Sequence, residues 1–366
     1  MVSAQQVWVV LEPRDAVQVR DGRAFEAGGA ARTRRPWPST IAGAIGAAWG
    51  GDGQLAAVRG PVLARRDTTT GSWAPGFTVP ADVVPTEGPG RVWRRLRPEP
   101  SGAITDLDEE GLLWLNAPDA GAFDEHAWWD ARAMGAYLSG AELNLRRAVR
   151  TSSPVAVEHR VGIARQDRRV RDAHLYSSDF LRLRENASEQ WAFAAQCSLL
   201  PGQRIPERLR PVRLGGESRL ADVRVVQGLD FPPPPEVLPG GRVLVYLVTP
   251  GVWRRRGSDG EWRNTWRPSI PANARLVAAA VPSPMPVATA RPDGRGGLEQ
   301  ARLRWAVPAG SVYLLEFTGP DPETAALAWA SERHGRAWGD GEDNEDRIGR
   351  RLATAGFGLM LTGTWS

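Results

Sequence analysis

The chain contains no lysine, and all 46 of its basic residues are arginine. This absence excludes chemistry that needs a lysine amine, such as a P-loop lysine on phosphates, a Schiff base with pyridoxal phosphate or a lysine adenylate. Arginine presents a planar fork of donors that suits phosphate oxygens and stacks on bases, so the composition is compatible with nucleic-acid contact. The net charge of +4 over 366 residues is too small to establish such contact.

Cysteine and histidine are also scarce. The one cysteine, Cys197, excludes an internal disulfide and a cysteine-based zinc site. The four histidines include no pair at helical spacing and no His-Glu-x-x-His motif. The stretch from Asp340 to Asp346 imitates a calcium loop, but Glu345 stands where glycine is required and Arg351 where the final glutamate ligand is required. We therefore expect neither a metal nor a cofactor.

Long apolar runs are absent as well. No stretch approaches the roughly 20 apolar residues of a membrane span, and residues 1–10 lack the basic start and apolar core of a signal peptide. We expect a cytoplasmic protein with no membrane partner. The length of 366 residues exceeds most single hydrophobic cores and indicates two domains.

Tryptophan and clustered arginine are abundant. The 16 tryptophans are scattered through predicted helices and strands, which favours packing over a platform for stacked bases. Arginine clusters lie at 91–97, 165–171 and 254–256, and each is either a solvated loop or a binding patch.

The second half has a regular order of predicted elements. Four consecutive prolines within 228–241 forbid helix and interior strand, so we place a linker there. Beyond it the pattern predicts strands at 242–249, 275–281 and 311–318, helices after the cap Asp321 and at 347–353, and a closing strand after the turn at 356–358. With a helical turn between the first two strands, this is the β-α-β-β-α-β order of a ferredoxin-like domain.

The first half begins in the same way. The sequence predicts a strand at 6–11, helices at 39–49 and 124–138, a hairpin of 155–164 with 174–183, and strands at 190–200 and 219–227. The predicted fold class is therefore α+β, with two tandem ferredoxin-like (RRM-like) domains, long loop insertions and a β-hairpin thumb at about 155–184. The predicted domains are residues 1–227 and 242–366.

The segment from Leu11 to Trp49 combines a strand, an arginine-bearing glycine loop and a helix start. Arg20 and Arg23 lie in the loop, and Ser39 or Thr40 is a suitable helix cap. Helix starts attract anions because their first N–H groups lack internal partners and the helix dipole is positive there. The segment is either a phosphate site or an ordinary corner whose arginines are solvated.

Three separated motifs carry a resemblance to a known family. They are Leu11-Glu-Pro-Arg-Asp with Arg20-Asp-Gly-Arg-Ala-Phe-Glu-Ala-Gly28 and Pro38-Ser-Thr-Ile-Ala-Gly43; Glu158-His-Arg-Val-Gly-Ile-Ala164 with Leu175-Tyr176; and Val307-Pro-Ala-Gly-Ser-Val-Tyr313 with Gly356-Phe-Gly358. The stretch Gly215-Gly-Glu-Ser-Arg219 belongs to the same likeness. Together they resemble a CRISPR RAMP family, the third subunits of type III-B Cmr effector complexes.

The resemblance implies a ribonucleoprotein role in antiviral defence. A member would cap the 5′ handle of the guide RNA (crRNA) and join the large polymerase-like subunit to the repeated backbone subunit, meeting target RNA only indirectly. The residues that match the family's RNA-facing motifs are Arg20, Arg23, Ser39 and Thr40 toward handle phosphates; His159, Arg160, Arg165 and Tyr176 in the hairpin; and Gly356, Phe357 and Gly358 in the closing loop. The turn at 165–171 would be the thumb tip, but it lacks the Thr-Gly pair often seen in related thumbs.

Three functions stay open at this point. The first is a non-catalytic RNA-binding and assembly subunit. The second is a metal-independent, guide-processing endoribonuclease, because related RAMP proteins cut RNA with histidine, and only His159 is suitably placed here. The third is a protein-only scaffold that never touches RNA. The neighbours of His159 favour binding over cleavage.

Overall fold

A computed structural model describes residues 5–20, 30–31, 33–50, 55–87, 92–100, 112–166, 169–292, 298–339 and 345–366. The chain forms two compact units that interleave in sequence: unit 1 is Met1–Trp73, Pro154–Leu229 and Met285–Trp305, and unit 2 is Ala74–Ser153, Asp230–Pro284 and Ala306–Ser366. These units differ from the predicted ranges 1–227 and 242–366. The physical reason is that the middle of the first half packs with the C-terminal strands, while residues 285–305 pack with the N-terminal ones.

The protein is a mixed α/β chain with mostly antiparallel strands and few helices. The helices are α1 (Pro38–Trp49), α2 (Ala131–Leu138), α3 (Leu145–Ala148), α4 (Pro322–Arg333) and α5 (Arg347–Thr354). The strands are β1 (Gln6–Pro13), β2 (Ala30–Ala31), β3 (Ala57–Asp67), β4 (Trp73–Thr78), β5 (Val83–Pro85), β6 (Trp93–Arg95), β7 (Arg97–Glu99), β8 (Trp114–Asn116), β9 (Trp128–Asp130), β10 (Val155–Gln166), β11 (Arg169–Leu183), β12 (Glu189–Ser198), β13 (Val212–Arg213), β14 (Leu220–Val226), β15 (Arg242–Leu247), β16 (Trp253–Arg256), β17 (Trp262–Thr265), β18 (Ala274–Ala280), β19 (Met285–Pro292), β20 (Leu298–Ala306), β21 (Val312–Phe317), β22 (Arg336–Ala337) and β23 (Leu359–Thr364). No helix in these described ranges is long and apolar enough to cross a bilayer.

The main sheet of unit 1 runs β13-β14-β1-β12-β3, with antiparallel neighbours. β1 lies at its centre because its residues are apolar on both faces, and Val9, Val10 and Leu11 are fully buried. The order β14-β1-β12-β3 is that of a ferredoxin-like sheet, and α1 makes the first crossover. Within the described residues, no helix connects β12 to β14, so the complete predicted motif is not confirmed.

The main sheet of unit 2 runs β18-β21-β15-β23-β22, and its four main strands have the same relative order. Here α4 lies between β21 and β23, but the hairpin β16–β17 stands between β15 and β18 where a helical turn was predicted. Helix α2 packs against β23 instead. A Cβ at Gly363 would lie 2.6 Å from the backbone oxygen of Leu138, so this contact requires glycine.

The predicted helix at 124–138 is wrong in its first half. Trp128–Asp130 forms β9, which pairs with β4 through Phe77↔Trp129. Asp130 then caps α2, its carboxylate accepting the N–H of Ala133 at 2.8 Å. The helical spacing of apolar residues extends over both segments, and pairing with β4 decides that the first is a strand.

The start of α4 is confirmed. Pro322 is its first residue, and the carboxylate of Asp321 accepts the N–H of Thr324 at 3.3 Å. Gly335, two residues beyond the helix, has a left-handed φ of +69°, a conformation that favours glycine at the end of a helix.

Candidate functional site

Backbone contacts hold Arg20 close to the start of α1. Arg20 forms an isolated antiparallel β-bridge with Thr33, and the indole N–H of Trp37 donates to the Arg20 carbonyl at 3.4 Å. The N–H of Val19 donates to the Thr33 hydroxyl at 3.0 Å. The exposed Arg20 therefore lies beside the helix start, as the sequence predicted, while Arg23 lies outside the described residues.

The predicted cap of α1 is wrong. Trp37 is the N-cap, with extended backbone at ψ 153°, and no side chain caps the helix. The reason is that Pro38 takes the first helical position, where its fixed φ and missing N–H are tolerated, and disfavours a helical residue before it. Ser39 and Thr40 lie in the first turn and are partly exposed. Their hydroxyls remain near the positive helix end.

The hairpin of β10 and β11 is longer than predicted, and its two faces differ. Side chains opposite one another share a face, so His159 and Asp179 stand together with Val157, Val161 and Ile163 on one side. The side chain of His159 is 73% exposed, and its Nδ1 lies 2.6 Å from Asp179 Oδ1. The three aliphatic residues of this face are also exposed.

Arg160 lies on the other face, where carboxylates hold it. Its Nε donates to Glu158 Oε1 at 2.7 Å, and its Nη2 donates to Asp15 Oδ2 at 3.3 Å. The guanidinium carbon lies 4.5 Å from the ring centroid of Phe180. These hydrogen bonds raise the pKa of Arg160. The resemblance implied that the guanidinium of Arg160 binds RNA, but here it is bonded to Glu158 and Asp15 at the base of the hairpin.

Asp15 is the centre of this root cluster. Besides Arg160 it accepts from Arg182 at 2.7 Å and from Arg219 at 2.8 Å. The pKa of Asp15 is lowered to about 2, first by the backbone N–H of Ala16 and then by hydrogen bonds from Arg182 and Arg160. Because its three arginine partners come from the hairpin and from the start of β14, Asp15 fixes the hairpin to the sheet of unit 1.

The two glycines of the stretch Gly215-Gly-Glu-Ser-Arg219 pack closely against the backbone of Gln18, near the cluster around Asp15. Gly215 has a φ of +77°, and a Cβ there would overlap the backbone oxygen of Gln18. The N–H of Gly216 donates to that oxygen at 2.7 Å. The glycine pair thus permits the close approach that lets Arg219 reach Asp15.

For the other two hairpin residues predicted to contact RNA, Arg165 and Tyr176, the structure describes the backbone pairing. Arg165 pairs with Val170, and Tyr176 pairs with Gly162. The strands extend into the range 165–171 that was predicted as the thumb turn, since β10 ends at Gln166 and β11 begins at Arg169.

The closing loop belongs to unit 2 and is tightly bonded. Gly356 and Gly358 have φ of +99° and +76°. The Thr249 hydroxyl donates to the Gly356 carbonyl at 2.6 Å and accepts from the N–H of Leu359 at 2.9 Å. Phe357 is only 2% exposed, so its ring is a core side chain in this arrangement.

His334 of unit 2 has both of its ring nitrogens engaged in hydrogen bonds. His334 is half-buried; its Nδ1 accepts the N–H of Thr362 at 3.0 Å, and its Nε2 donates to the Pro232 carbonyl at 2.7 Å. Burial lowers the pKa of His334. Among the described residues no three His, Cys, Asp or Glu side chains form a group that could hold a metal ion.

Comparison with known proteins identifies relatives across almost the whole chain. A family model described as CRISPR-associated protein (Cas_Cmr3) matches residues 9–365. A chain from a cryo-EM structure of the type III-B Cmr-beta bound to cognate target RNA is similar at 14% identity and a TM-score of 0.49, covering 96% of each chain. A chain from the same assembly bound to target RNA and AMPPnP, state 1, is 12% identical with a TM-score of 0.49, covering 97% of this chain and 98% of the other. No curated protein matches this chain in sequence.

Proposed function

The chain belongs to the Cas_Cmr3 family of CRISPR-associated proteins, and from that membership we propose that it is the subunit of a type III-B effector complex that caps the 5′ handle of the guide RNA. In this proposal it also joins the large polymerase-like subunit to the backbone subunit and performs no catalysis. The observation that carries the proposal is the family match over residues 9–365, which includes all three motifs noted in the sequence. The family predicted from those motifs is confirmed.

The opening segment supports a contact with handle phosphates. Arg20 is exposed and its backbone is bonded to Trp37, so one arginine lies beside the positive end of α1. Ser39 and Thr40 add partly exposed hydroxyls in the first helical turn. A phosphate there would meet donors from a helix start and a charged side chain together.

We expect the two faces of the hairpin to have different roles. Arg160 is bonded to Glu158 and Asp15, so we expect it to hold the hairpin in place. His159 lies on the opposite, exposed face with three exposed aliphatic side chains. We propose that this face contacts RNA or the neighbouring subunit within the assembled complex.

The proposal is tested with the assembled complex and a guide RNA that carries a photoreactive group in its 5′ handle. We expect a crosslink to this chain, and Arg20→Ala is expected to weaken guide binding and reduce the slope of log affinity against log salt by about one, the value for one lost phosphate contact. Arg208→Ala removes an exposed arginine of unit 1 outside the motifs and serves as the matched control. No crosslink to this chain, while its neighbours crosslink, would leave scaffolding as its only role.

The endoribonuclease alternative has its own readout. The exposed His159 lies 2.6 Å from the half-buried Asp179, and a histidine beside a carboxylate is the arrangement that general acid–base catalysis uses. This is the observation that favours the alternative. A repeat-containing RNA is incubated with the full chain in EDTA. Cleavage that His159→Ala abolishes would replace the binding proposal, whereas salt-sensitive binding without cleavage supports it.

A further inference from the structure

Unit 2 contains a half-open cavity of about 600 Å³. Among the described residues that were predicted to contact RNA, Phe357 alone lies in its lining. It lies between the β16–β17 hairpin, the segment 267–271, the end of α4 and the start of α5. Its volume is within the range of sites for small ligands, roughly 300–1,000 Å³. Four tryptophans and five arginines stand among its lining residues.

The tryptophans provide rigid aromatic surfaces. Trp253 and Trp338 are buried, with ring centroids 6.0 Å apart and planes at 70°. Their indole N–H groups are satisfied, by the Trp338 carbonyl at 3.3 Å and the Ser269 carbonyl at 3.0 Å. Trp262 and Trp329 are partly exposed. The ring of Trp329 packs edge-on against Trp338, with centroids 5.8 Å apart. A partly exposed ring held in this way stacks a second flat ring at low entropic cost.

One arginine of the cavity is structural. Arg254 donates to Asp346 at 3.0 Å, and both side chains are nearly buried, at 11% and 6% exposure. Its guanidinium carbon lies 5.4 Å from the centroid of Trp262. This pair joins the hairpin to the cap of α5, because Asp346 also accepts the N–H of Ile348 at 3.1 Å.

The other arginines carry the positive charge. Arg255 is exposed and stands directly opposite Arg263 in the hairpin, and the guanidinium of Arg263 is ion-paired with Asp259. The Nη2 of Arg333 lies 3.6 Å from Glu332 Oε1, while its buried Nε has no hydrogen-bond acceptor among the described residues. Of the two carboxylates among the described lining residues, Asp346 is paired with Arg254 and Glu345 is exposed. The lining therefore offers donors and positive charge beside aromatic faces.

We propose that this cavity binds one nucleotide, its base against Trp262 or Trp329 and its phosphate accepting from Arg255 and Arg333. The nucleotide is either one residue of an RNA strand or a free nucleotide, and the first source rests on the RNA-binding function proposed above. Each component has a counterpart in the lining: the base is a planar π-system for the tryptophans, and the phosphate supplies the acceptors that the arginines require.

The test uses the full chain, two kinds of probe and three variants. Single-stranded RNA with 4-thiouridine at successive positions is crosslinked and the modified peptides are mapped by mass spectrometry, while AMP and UMP binding is measured by calorimetry. We expect crosslinks in peptides spanning 253–271 or 329–339, and about tenfold weaker binding in Arg255→Ala, the effect of losing one charge-assisted hydrogen bond. Trp262→Leu should reduce crosslinking while keeping an apolar side chain. Arg336→Ala, an exposed arginine outside the cavity lining, should change neither.

The outcomes separate the two sources and the two proposals. Saturable binding of AMP or UMP that Arg255→Ala weakens supports a free-nucleotide site, and crosslinks to the RNA strand alone support a site for one RNA residue. The cavity proposal is overturned if neither probe responds to Arg255→Ala, even where the complex still binds its guide RNA at the handle. Protection of the cavity by a protein subunit, with no response to nucleotides, also overturns it. Loss of handle binding in the complex, with nucleotide binding intact, refutes only the proposed function.

Discussion

Removal of the Tyr137 hydroxyl tests the polar centre of unit 2. Asp82 is 3% exposed, and its Oδ1 accepts the Tyr137 hydroxyl at 2.7 Å while its Oδ2 lies 3.3 Å from Arg95 Nε. Arg95 also lies over the Tyr137 ring at 4.5 Å, and that ring packs edge-on against Trp129. The substitution Tyr137→Phe keeps these ring contacts and removes one hydrogen bond to a buried carboxylate. Such bonds contribute about 1.5–3 kcal/mol, so we expect a loss of about 2 kcal/mol in the free energy of unfolding.

The predicted loss has a pH dependence of defined sign. Burial raises the pKa of Asp82, so the folded state takes up a proton at this carboxyl more readily than the unfolded state does. Without the hydroxyl this pKa rises further, and stability therefore recovers as the pH falls toward the folded pKa. The deficit of Tyr137→Phe relative to the natural chain should shrink on acidification.

The assay for this prediction is urea unfolding followed by tryptophan fluorescence, together with hydrogen exchange of the α2 peptide 131–138. Hydrogen exchange reports on unit 2 even where the two units unfold separately. Tyr246→Phe serves as a control, because its hydroxyl donates to the neutral carbonyl of Thr78 at 2.7 Å and its loss should cost less, about 1 kcal/mol. A change below about 0.5 kcal/mol in Tyr137→Phe at neutral pH would refute the assigned role of the hydroxyl.

Three further outcomes follow from the described contacts. Arg160→Ala should speed hydrogen exchange at the hairpin root yet leave the salt slope of guide binding unchanged, and a slope reduced by about one would instead identify a phosphate contact. Because burial lowers the pKa of His334, its neutral form accepting from Thr362 stabilises the fold above about pH 6.5, and this contribution is lost as the pH falls. The unfolding midpoint of the natural chain should therefore fall more steeply on acidification than that of His334→Gln, and parallel curves would contradict this role. Gly215→Ala should destabilise unit 1 by roughly 1–3 kcal/mol, because φ is positive and the added Cβ would overlap the oxygen of Gln18; an unchanged melting temperature would contradict it.

Local chemistry explains which parts of the fold the sequence predicts well. The cap Asp321, the first-turn Pro322 and the terminal Gly335 act within a few residues of one another, so the bounds of α4 follow from neighbours in the chain. In β10, the apolar residues Val157, Val161 and Ile163 fall on one face of the strand and are separated by more polar residues. The prediction for 124–130 is wrong because a short apolar segment is compatible with helix or strand until its partner, here β4, is known.

The candidate site divides in the same way. Motif residues such as Arg20, His159 and Gly358 are readable in the sequence because the order of residue types alone carries the family likeness. Of the two carboxylates that hold Arg160, Glu158 is two positions away, but the contact with Asp15, 145 positions away, is not readable in the sequence. A guanidinium free to bind phosphate and one held in an ion-pair cluster have the same sequence signature.

The sequence by itself determined the family, the exclusion of lysine chemistry, nine of the 23 described strands and the start of α4. Only the tertiary structure decided that the units interleave, that Asp15 gathers three arginines, and that tryptophans scattered over 253–338 line one cavity. The physical reason is how far apart in the sequence the interacting residues lie. Caps, turns and strand alternation depend on residues a few positions apart, whereas ion pairs and cavities depend on which distant segments the packing of apolar surface brings together.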